Sequence, residues 1–194
     1  MKARIYKILK HTKVEGPGTR YCIWFQGCSR HCNGCWAKAT WSHSGGTVYN
    51  ACEILEDILN TKGIDGVTFL GGEPFEQPDV LEFLSKNIKK SGLSVVCFTG
   101  GRLENLRKQY PRIIENIDLL IDGEFIEKEK DFSRPWVGSK NQRFHFLTDR
   151  FNKSILTEYK NKIEVNISKN GGIFINGMGD FDKFVKNIKL PLSH

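Results

Sequence analysis

The sequence has no hydrophobic run long enough to cross a membrane. None of its 194 residues lies in an apolar stretch near the roughly 18 residues that a transmembrane helix needs. The basic first residues, MKARIYKILKHTK, lack an uninterrupted apolar core and a small-residue cleavage site, so we do not interpret them as a signal peptide. We therefore expect a cytosolic protein, whose thiols stay reduced and rarely pair in disulfides.

The sequence also has no dense block of positive charge. Lysine and arginine outnumber aspartate and glutamate by 29 to 22, which gives a net charge of +7, yet no run of basic residues is longer than two. A scattered excess of this kind is typical of a solvated basic surface. It gives little support to nucleic-acid binding, which favours a basic patch or stripe.

Closely spaced cysteines occur in only one place. Cys28, Cys32 and Cys35 form a C-x3-C-x2-C motif within FQGCSRHCNGCW. A structural zinc site needs four ligands, commonly from two such knuckles, and no second knuckle exists here. His31 or His43 remains available as a fourth zinc ligand, so the spacing alone does not exclude zinc.

An iron–sulfur cluster fits the motif better than zinc. Thiolates on one short loop can wrap around a single small object, and Gly27 and Gly34 allow the backbone to turn tightly there. Three thiolates would leave one iron of a four-iron cluster without a protein ligand, and an open coordination site implies chemistry. The other cysteines, Cys22, Cys52 and Cys97, are isolated and are expected to be small buried hydrophobic residues.

Strands and helices alternate through the first two thirds of the chain. The pattern predicts strands at 19–27, 65–72, 93–101 and 116–125, and helices at 48–63, 78–92 and 102–110. Such alternation favours an α/β fold with a parallel sheet. Glycines recur at the carboxyl ends of these strands, where parallel sheets bind ligands.

The pattern changes after residue 125. A charged loop is followed by a short strand within 141–149, a hairpin at 163–177 around the turn KNGG, and an amphipathic helix at 180–190. We see no repeat or linker and expect one domain with a small C-terminal appendage.

Several motifs in this order resemble the radical S-adenosylmethionine (SAM) superfamily. They are EGPGTRYCIWFQGCSRHCNGCWAKATWS, DGVTFLGGEPFEQPDVL, TGGRLENL, IDLLIDGEF and GSKNQRFHFLT. Together they are similar to the activating proteins of glycyl-radical enzymes, above all to the small ones that serve anaerobic ribonucleotide reductase. The resemblance runs from about Lys7 to Thr148.

The resemblance implies a cofactor, an activity and a partner. Cys28, Cys32 and Cys35 would bind a [4Fe-4S] cluster, with SAM at the remaining iron. Reductive cleavage of SAM would give a 5′-deoxyadenosyl radical, which would take a hydrogen atom from a glycine of a partner glycyl-radical enzyme. A flavodoxin or ferredoxin would supply the electron, and the basic surface would suit such an acidic protein.

The resemblance also implies a set of SAM contacts. The motif GGEP would hold the methionine amino group through Gly71 and Gly72, and the carboxylate of Glu73 would offset the amino group's charge. Gly34 and Trp36 flank the last cluster cysteine, near the expected place of the adenine.

Two positions depart from the better-known relatives. Thr99 and Asp122 end later strands on the ligand side, and Asp122 matches an acidic position near the SAM carboxylate. Relatives carry a lysine two residues further on, where this chain has Glu124, so a cation or another basic residue would have to serve. Val137 likewise stands where an arginine is usual, although the polar side chains that follow, including Asn141, are kept.

The implied fold is a partial (β/α) barrel of about five to six parallel strands with a small C-terminal hairpin and helix. A chain this short cannot close an eight-stranded barrel. We expect residues 1–150 to form the radical SAM core and 151–194 an appendage of the same domain. The open side would suit a protein substrate that inserts a loop, and the turn EGPG at 15–18 would border it.

Two other functions stay open from the sequence. One is a small radical SAM enzyme that modifies a peptide or small molecule, because residues 151–194 could cover the open side or recruit a peptide. The other is a basic binding module for nucleic acid, stabilised by zinc or a cluster, whose affinity would depend strongly on salt.

Overall fold

A computed structural model describes residues 1–188. Nine strands and six α-helices are named in chain order. The strands are β1 (Lys2–Thr12), β2 (Arg20–Phe25), β3 (Thr47–Asn50), β4 (Gly66–Gly71), β5 (Ser94–Thr99), β6 (Leu119–Asp122), β7 (Arg143–Phe146), β8 (Ile163–Ile167) and β9 (Ile173–Gly177). The helices are α1 (Ala51–Asn60), α2 (Pro78–Lys90), α3 (Leu103–Gln109), α4 (Pro111–Ile114), α5 (Ile155–Glu158) and α6 (Phe181–Ile188).

Seven strands form one mixed sheet in the order β3-β1-β2-β4-β5-β6-β7. Neighbours from β2 to β6 are parallel, whereas β1, β3 and β7 pair antiparallel. The sheet thus has four parallel strands, and the prediction of five to six was wrong. Residues 13–19 alone join β1 to β2, and a connection this short permits only an antiparallel return.

The two strands on the amino-terminal side of the sheet were not foreseen. In β1 only Ala3, Ile5 and Thr12 are buried, so its lysines obscure the apolar alternation. The prediction of a helix from residue 48 was wrong for its first turn, because β3 pairs there with β1. Helix α1 begins after Asn50, whose side chain accepts a hydrogen bond from the Cys52 amide at 3.1 Å.

The later elements match the predictions within a few residues. Strands β4, β5 and β6 and helices α2 and α3 lie where the pattern placed them, and β8 and β9 pair as the expected hairpin. Helix α6 runs to Ile188, so the last two residues of the predicted helix, and the end of the predicted appendage, lie outside the described residues. Within residues 1–188, no helix has the length and apolar content to cross a membrane.

The two faces of the sheet are covered differently. On one face, Ile23 and Phe69 pack against Ile54 of α1 and Leu84 of α2 in the main core. Cys97 belongs to this core, as predicted for a buried thiol.

The other face is covered by later parts of the chain. Val96 and Ile121 pack beneath Trp136, whereas Trp24 and Leu70 lie near the hairpin. Cys22 is buried with this second pair, as predicted. Cys52, by contrast, is exposed on the first turn of α1, so the prediction that it is buried was wrong.

A buried carboxyl group links the β1–β2 turn to the hairpin. Glu15 is 3% exposed and accepts hydrogen bonds from the Gly177 amide at 2.6 Å and from Asn176 Nδ2 at 3.3 Å. Burial raises the pKa of Glu15 from 4.5 to about 7, and the negative charge of Glu164 adds to the rise; the two hydrogen bonds oppose it.

The ionisation of Glu15 predicts a specific pH dependence of stability. Because folding raises the pKa of Glu15, its contribution to the free energy of unfolding is full below pH 4.5 and is lost as the pH rises to about 7. A shift of this size corresponds to about 3 kcal/mol. In Glu15→Gln the acceptor remains and the ionisation is removed, so this fall should disappear. Urea unfolding of both proteins at pH 5 and pH 8 checks it, and equal pH dependence of the two would contradict it.

Candidate functional site

The cysteine motif lies on the loop that follows β2, at the carboxyl end of the parallel strands. Backbone hydrogen bonds fix the start of this loop: the Gly27 amide donates to the Thr40 carbonyl at 2.7 Å, and the Cys28 amide to the Trp41 carbonyl at 3.1 Å. The loop is therefore folded back on itself where it leaves the sheet. Parallel sheets bind their ligands at this edge.

All three thiols of the motif are free. Cys28 is buried, whereas Cys32 and Cys35 are partly exposed, and the Cys35 amide donates to the Cys32 carbonyl at 3.1 Å. Burial raises the pKa of the Cys28 and Cys32 thiols, so metal binding would have to displace their protons. Among residues 1–188, no three His, Cys, Asp or Glu side chains are arranged to hold a single metal ion. Three soft sulfur donors on one loop nevertheless fit an iron–sulfur cluster by their chemistry.

The two histidines considered as zinc ligands make other contacts. The ring of His31 stacks on Trp41 with centroids 4.5 Å apart. His43 Nε2 lies 2.7 Å from Glu76 Oε2, and the Ser29 amide donates to the other oxygen of Glu76 at 2.8 Å. Burial opposes ionisation of Glu76, but these two bonds outweigh it and lower its pKa. The Glu76 carboxylate thereby links Ser29 of the cysteine loop to His43.

The carboxylate of Glu73 joins three segments of the site. It is buried, and it accepts hydrogen bonds from Arg30 Nε at 2.9 Å, Thr99 Oγ1 at 2.8 Å, the Gly100 amide at 3.0 Å and the Phe75 amide at 3.2 Å. Arg30 belongs to the cysteine loop, and Thr99 ends β5. The carboxylate therefore ties that loop and the end of β5 to the GGEP turn.

The paired glycines of GGEP allow β4 to approach the start of the cysteine loop. A Cβ on Gly71 would lie 2.6 Å from the Phe25 amide nitrogen, and one on Gly72 would lie 2.2 Å from the Gly27 carbonyl oxygen. Gly71 also has a φ of +106°, which other residues rarely adopt. Any side chain at either position would push the two segments apart.

Asp122 forms the centre of a second charged group. It is fully buried at the end of β6 and accepts hydrogen bonds from Arg143 Nε at 2.9 Å and the Leu103 amide at 2.7 Å. His145 Nε2 lies 3.1 Å from Asp122 Oδ2 without the alignment of a hydrogen bond, and Arg102 Nη1 lies 3.9 Å from Oδ1. Burial opposes ionisation of Asp122, but the hydrogen bonds from Arg143 and the Leu103 amide, together with the nearby His145, outweigh it and lower the pKa of Asp122.

The neighbouring loop contains the two positions that depart from the relatives. Glu124 is exposed, and its carbonyl accepts a hydrogen bond from Asn141 Nδ2 at 2.8 Å. The other amide atom of Asn141 accepts from Ser139 Oγ at 2.7 Å, so the Asn141 side chain holds this loop in place. Val137, where an arginine is usual, is fully buried in an apolar cluster.

The two residues that flank the last cysteine lie near different later segments, Trp36 near α6 and Gly34 near Glu127. Trp36 is 52% exposed, and its ring lies 4.9 Å from that of Phe181 in α6. Gly34 has a φ of +73°, and a Cβ there would lie 2.6 Å from the Glu127 carboxyl carbon.

The predicted site residues thus fall into two groups. The cysteine loop, the GGEP turn and Thr99 are joined by Glu73, whereas Asp122 and Asn141 lie on the adjacent strand end and loop. Arg102 connects them, since it follows the glycines after β5 and donates to the Asn141 carbonyl at 3.2 Å.

Four basic residues of the site were missed: Arg30, Arg102, Arg143 and His145. Their scattered positions in the sequence gave no signal, except that Arg30 lies between two motif cysteines and Arg102 adjoins TGG.

Comparison with known proteins gives one family. The model of the family described as a 4Fe-4S single cluster domain matches residues 14–145. The anaerobic ribonucleoside-triphosphate reductase-activating protein of Escherichia coli K12 is 32% identical over 142 residues, which are 69% of this chain and 92% of that protein. The protein of the same name from Haemophilus influenzae is 33% identical and covers 68% of this chain and 90% of its own length. The protein of the same name from phage T4 is 28% identical over 70% of this chain and 89% of its own length.

A solved structure shows a weaker likeness. QueE from Escherichia coli superposes with a TM-score of 0.45 and 22% identity, over 52% of this chain and 54% of that chain, which supports no conclusion about fold or activity. The assignment to a family rests on the family model and on the relatives. The match to the family model ends before β8, β9 and α6. The chain therefore belongs to the family of 4Fe-4S single-cluster domains and, within it, to the anaerobic ribonucleoside-triphosphate reductase-activating proteins.

Proposed function

We propose that the protein is a radical SAM enzyme that activates a partner glycyl-radical enzyme of the anaerobic ribonucleotide reductase type. Cys28, Cys32 and Cys35 hold a [4Fe-4S] cluster, and SAM takes the iron that has no protein ligand. The observation that carries the proposal is the single loop of three free thiols in a chain about 32% identical to proteins of that name. A cluster that leaves one iron for SAM needs only three cysteines, which explains why the loop has no fourth.

The protein's part in this chemistry is to hold the cluster, to orient SAM and to exclude water. When bound, the cluster and SAM supply the electron transfer and the 5′-deoxyadenosyl radical that takes a hydrogen atom from the partner's glycine. The loop would supply three thiolates from one short stretch of chain, and its backbone bonds to Thr40 and Trp41 fix the position of the first of them. Trp24 and Leu70 make the adjacent sheet face apolar and are themselves buried.

For SAM itself we propose contacts along the carboxyl edge of the parallel strands. The backbone of Gly71 and Gly72 remains our candidate for the amino group. The carboxylate of Glu73 already pairs with Arg30, so its role is to position the loop and the GGEP turn. Arg102 is the basic residue we propose for the SAM carboxylate, in place of the lysine that Glu124 replaces, because its nearest carboxylate is 3.9 Å away.

The remaining SAM contacts stay as the sequence suggested. Gly34 and Trp36 lie beside the last cysteine, and we propose them for the adenine. Thr99, Asp122 and Asn141 already bond to protein groups, so we propose that they shape the pocket around SAM.

The setting of the reaction follows from the same proposal. We propose that residues 1–150 form a partial barrel with an open side and that 151–194 belong to the same domain. A flavodoxin or ferredoxin in the cytosol would supply the electron, drawn by the net charge of +7.

A second candidate function rests on the C-terminal segment. The family model ends at residue 145, so the hairpin and α6 are additions to it. A small radical SAM enzyme that modifies a peptide would use such a segment to recruit its substrate. A glycyl-radical enzyme gene beside this one favours the activase, whereas a precursor-peptide gene favours this second function.

The cysteine assignments predict which variants lose SAM cleavage. After anaerobic reconstitution with iron and sulfide, the protein should cleave SAM to 5′-deoxyadenosine and methionine, with dithionite as the electron donor. Cys28→Ala, Cys32→Ala and Cys35→Ala should each abolish this product. Cys52→Ala is the matched control, because Cys52 is exposed on α1 outside the loop, and it should retain the activity. Full activity in any of the three loop variants would count against the ligand set.

The positioning role of Glu73 predicts a loss of stability that does not depend on SAM. Glu73→Ala leaves Arg30, Thr99 and Gly100 without their acceptor, which should lower the free energy of unfolding of the cofactor-free protein by about 2–3 kcal/mol. Glu124→Ala, which removes an exposed carboxylate near the same edge, should change it by less than about 0.5 kcal/mol. Urea unfolding measures both, and equal stabilities would show that Glu73 acts on SAM alone.

A further inference from the structure

The C-terminal part of the chain crosses the sheet face that α1 and α2 leave free. Strands β8 and β9 pair only with each other among the described residues, and α6 follows them. All three elements lie beyond the stretch that the family model matches. We call residues 163–188 the C-terminal cover.

One apolar side chain fastens the cover to the sheet. The ring of Phe174 meets Trp24 of β2 edge to face, with centroids 5.4 Å apart and an interplanar angle of 83°. Lys7 Nζ lies 5.1 Å from the centre of the same ring. Cys22 and Leu70 complete the cluster beneath Phe174. The contact therefore lies on the helix-free face of the strands that carry the cysteine loop and the GGEP turn.

Three hydrogen bonds from Asn176 and Gly177 fasten the cover at the β1–β2 turn. Asn176 is 4% exposed, and its Nδ2 donates to Thr12 Oγ1 at 3.1 Å. The Gly177 amide donates to the buried Glu15 carboxyl at 2.6 Å. Glu15 belongs to the EGPG turn, so the turn that the sequence placed beside the open side is in contact with the cover.

The far end of the cover reaches the cysteine loop. Phe181 packs against Trp36, which follows Cys35, at 4.9 Å between centroids. A cleft of about 350 Å³ lies between them and is lined also by Phe132 and Lys130. The cover thus extends from the middle of the sheet face to the residue beside the last motif cysteine.

The fastening is light for an element of this size. Ile167, Ile173 and Val165 face away from the sheet and are 73%, 48% and 39% exposed. On the side that faces the sheet, the hairpin therefore contributes one partly buried aromatic ring and a buried asparagine, and it leaves aliphatic side chains in solvent. A two-stranded hairpin is only marginally stable by itself, and elements with few buried contacts open first.

We propose that the C-terminal cover occupies the surface that receives the glycine loop of the partner enzyme, and that closure of the cover and binding of the partner exclude each other. The inference rests on the proposed activase function. Helices α1 and α2 close one face of the sheet, so the partner's glycine loop would reach the cysteine motif along the other face, where Phe174 contacts Trp24 and Phe181 contacts Trp36. The cover must therefore move aside when the partner binds.

Competition of this kind has a measurable consequence. The apparent Kd for the partner equals the intrinsic Kd divided by the fraction of molecules with the cover open. Weakening the fastening raises that fraction and lowers the apparent Kd. A cover that instead formed part of the binding surface would give the opposite change.

The test compares three variants in binding to the anaerobic ribonucleoside-triphosphate reductase of the same organism. Phe174→Ala should lower the apparent Kd by about threefold to tenfold, because it removes the aromatic contact. Asn176→Ala should also lower it, because it removes the hydrogen bonds from Asn176 to Thr12 and Glu15 in the full-length chain. Ile167→Ala is the matched control on the outer face of the same hairpin and should leave Kd unchanged.

Hydrogen exchange supplies a second readout that needs no variant. The Gly177 amide should exchange slowly in the free protein, because it donates to Glu15, and faster once the reductase is bound. Weaker or unchanged binding by both Phe174→Ala and Asn176→Ala, or slower exchange at Gly177 in the complex, would overturn the proposal.

Cleavage of SAM by dithionite without the reductase separates this proposal from the proposed function. If all variants form 5′-deoxyadenosine, an unchanged Kd overturns the cover alone. If none does, including the unaltered protein, the proposed function fails and the cover with it.

Discussion

The carboxylate of Glu73 is the contact on which the arrangement of the site depends. It is buried, and its two oxygens accept hydrogen bonds from Arg30 in the cysteine loop and from Thr99 and Gly100 at the end of β5. A buried charge is costly unless it is paired and hydrogen-bonded, so these segments are held together as one unit. The glycines before Glu73 let the backbones meet closely enough for this to happen. The cysteine loop is in this way fastened to two neighbouring strand ends.

Much of the fold could be predicted from local patterns. Strands β4, β5 and β6 are short apolar runs closed by polar or glycine residues, and α2 begins with Pro78 and is followed by glycine, so periodicity and breakers placed them well. The local patterns missed β1 and β3 for a physical reason. The exposed positions of β1 carry mostly charged residues, and all four residues of β3 are exposed, including Val48 and Tyr49. The two strands form because β1 pairs with both β2 and β3. Such non-local pairing leaves no pattern in a single stretch of sequence.

The site was predictable as a set of motifs but not as a network. Spacing pointed to Cys28, Cys32 and Cys35 as candidate ligands, because thiols on one short loop can surround a single cluster. The partners of Glu73 and Asp122 come from distant segments, and an isolated Arg30 or Arg143 has no sequence signature. The sequence also assigned to Glu73 a charge-balancing role towards SAM, whereas the structure supplies Arg30 as its cation. Motifs therefore identified the chemistry, and packing determined which side chains are already paired.

We propose that three thiolates, with no fourth in the loop, prepare this chain to make a radical on another protein. Electron paramagnetic resonance tests it most directly. The reconstituted protein is mixed anaerobically with SAM, a reductant and the anaerobic ribonucleoside-triphosphate reductase of its organism, and the spectrum is recorded at the field of a glycyl radical. We expect a glycyl-radical signal with the unaltered protein and no such signal with Cys28→Ala. No signal from the unaltered protein, or the same signal from Cys28→Ala, would contradict it.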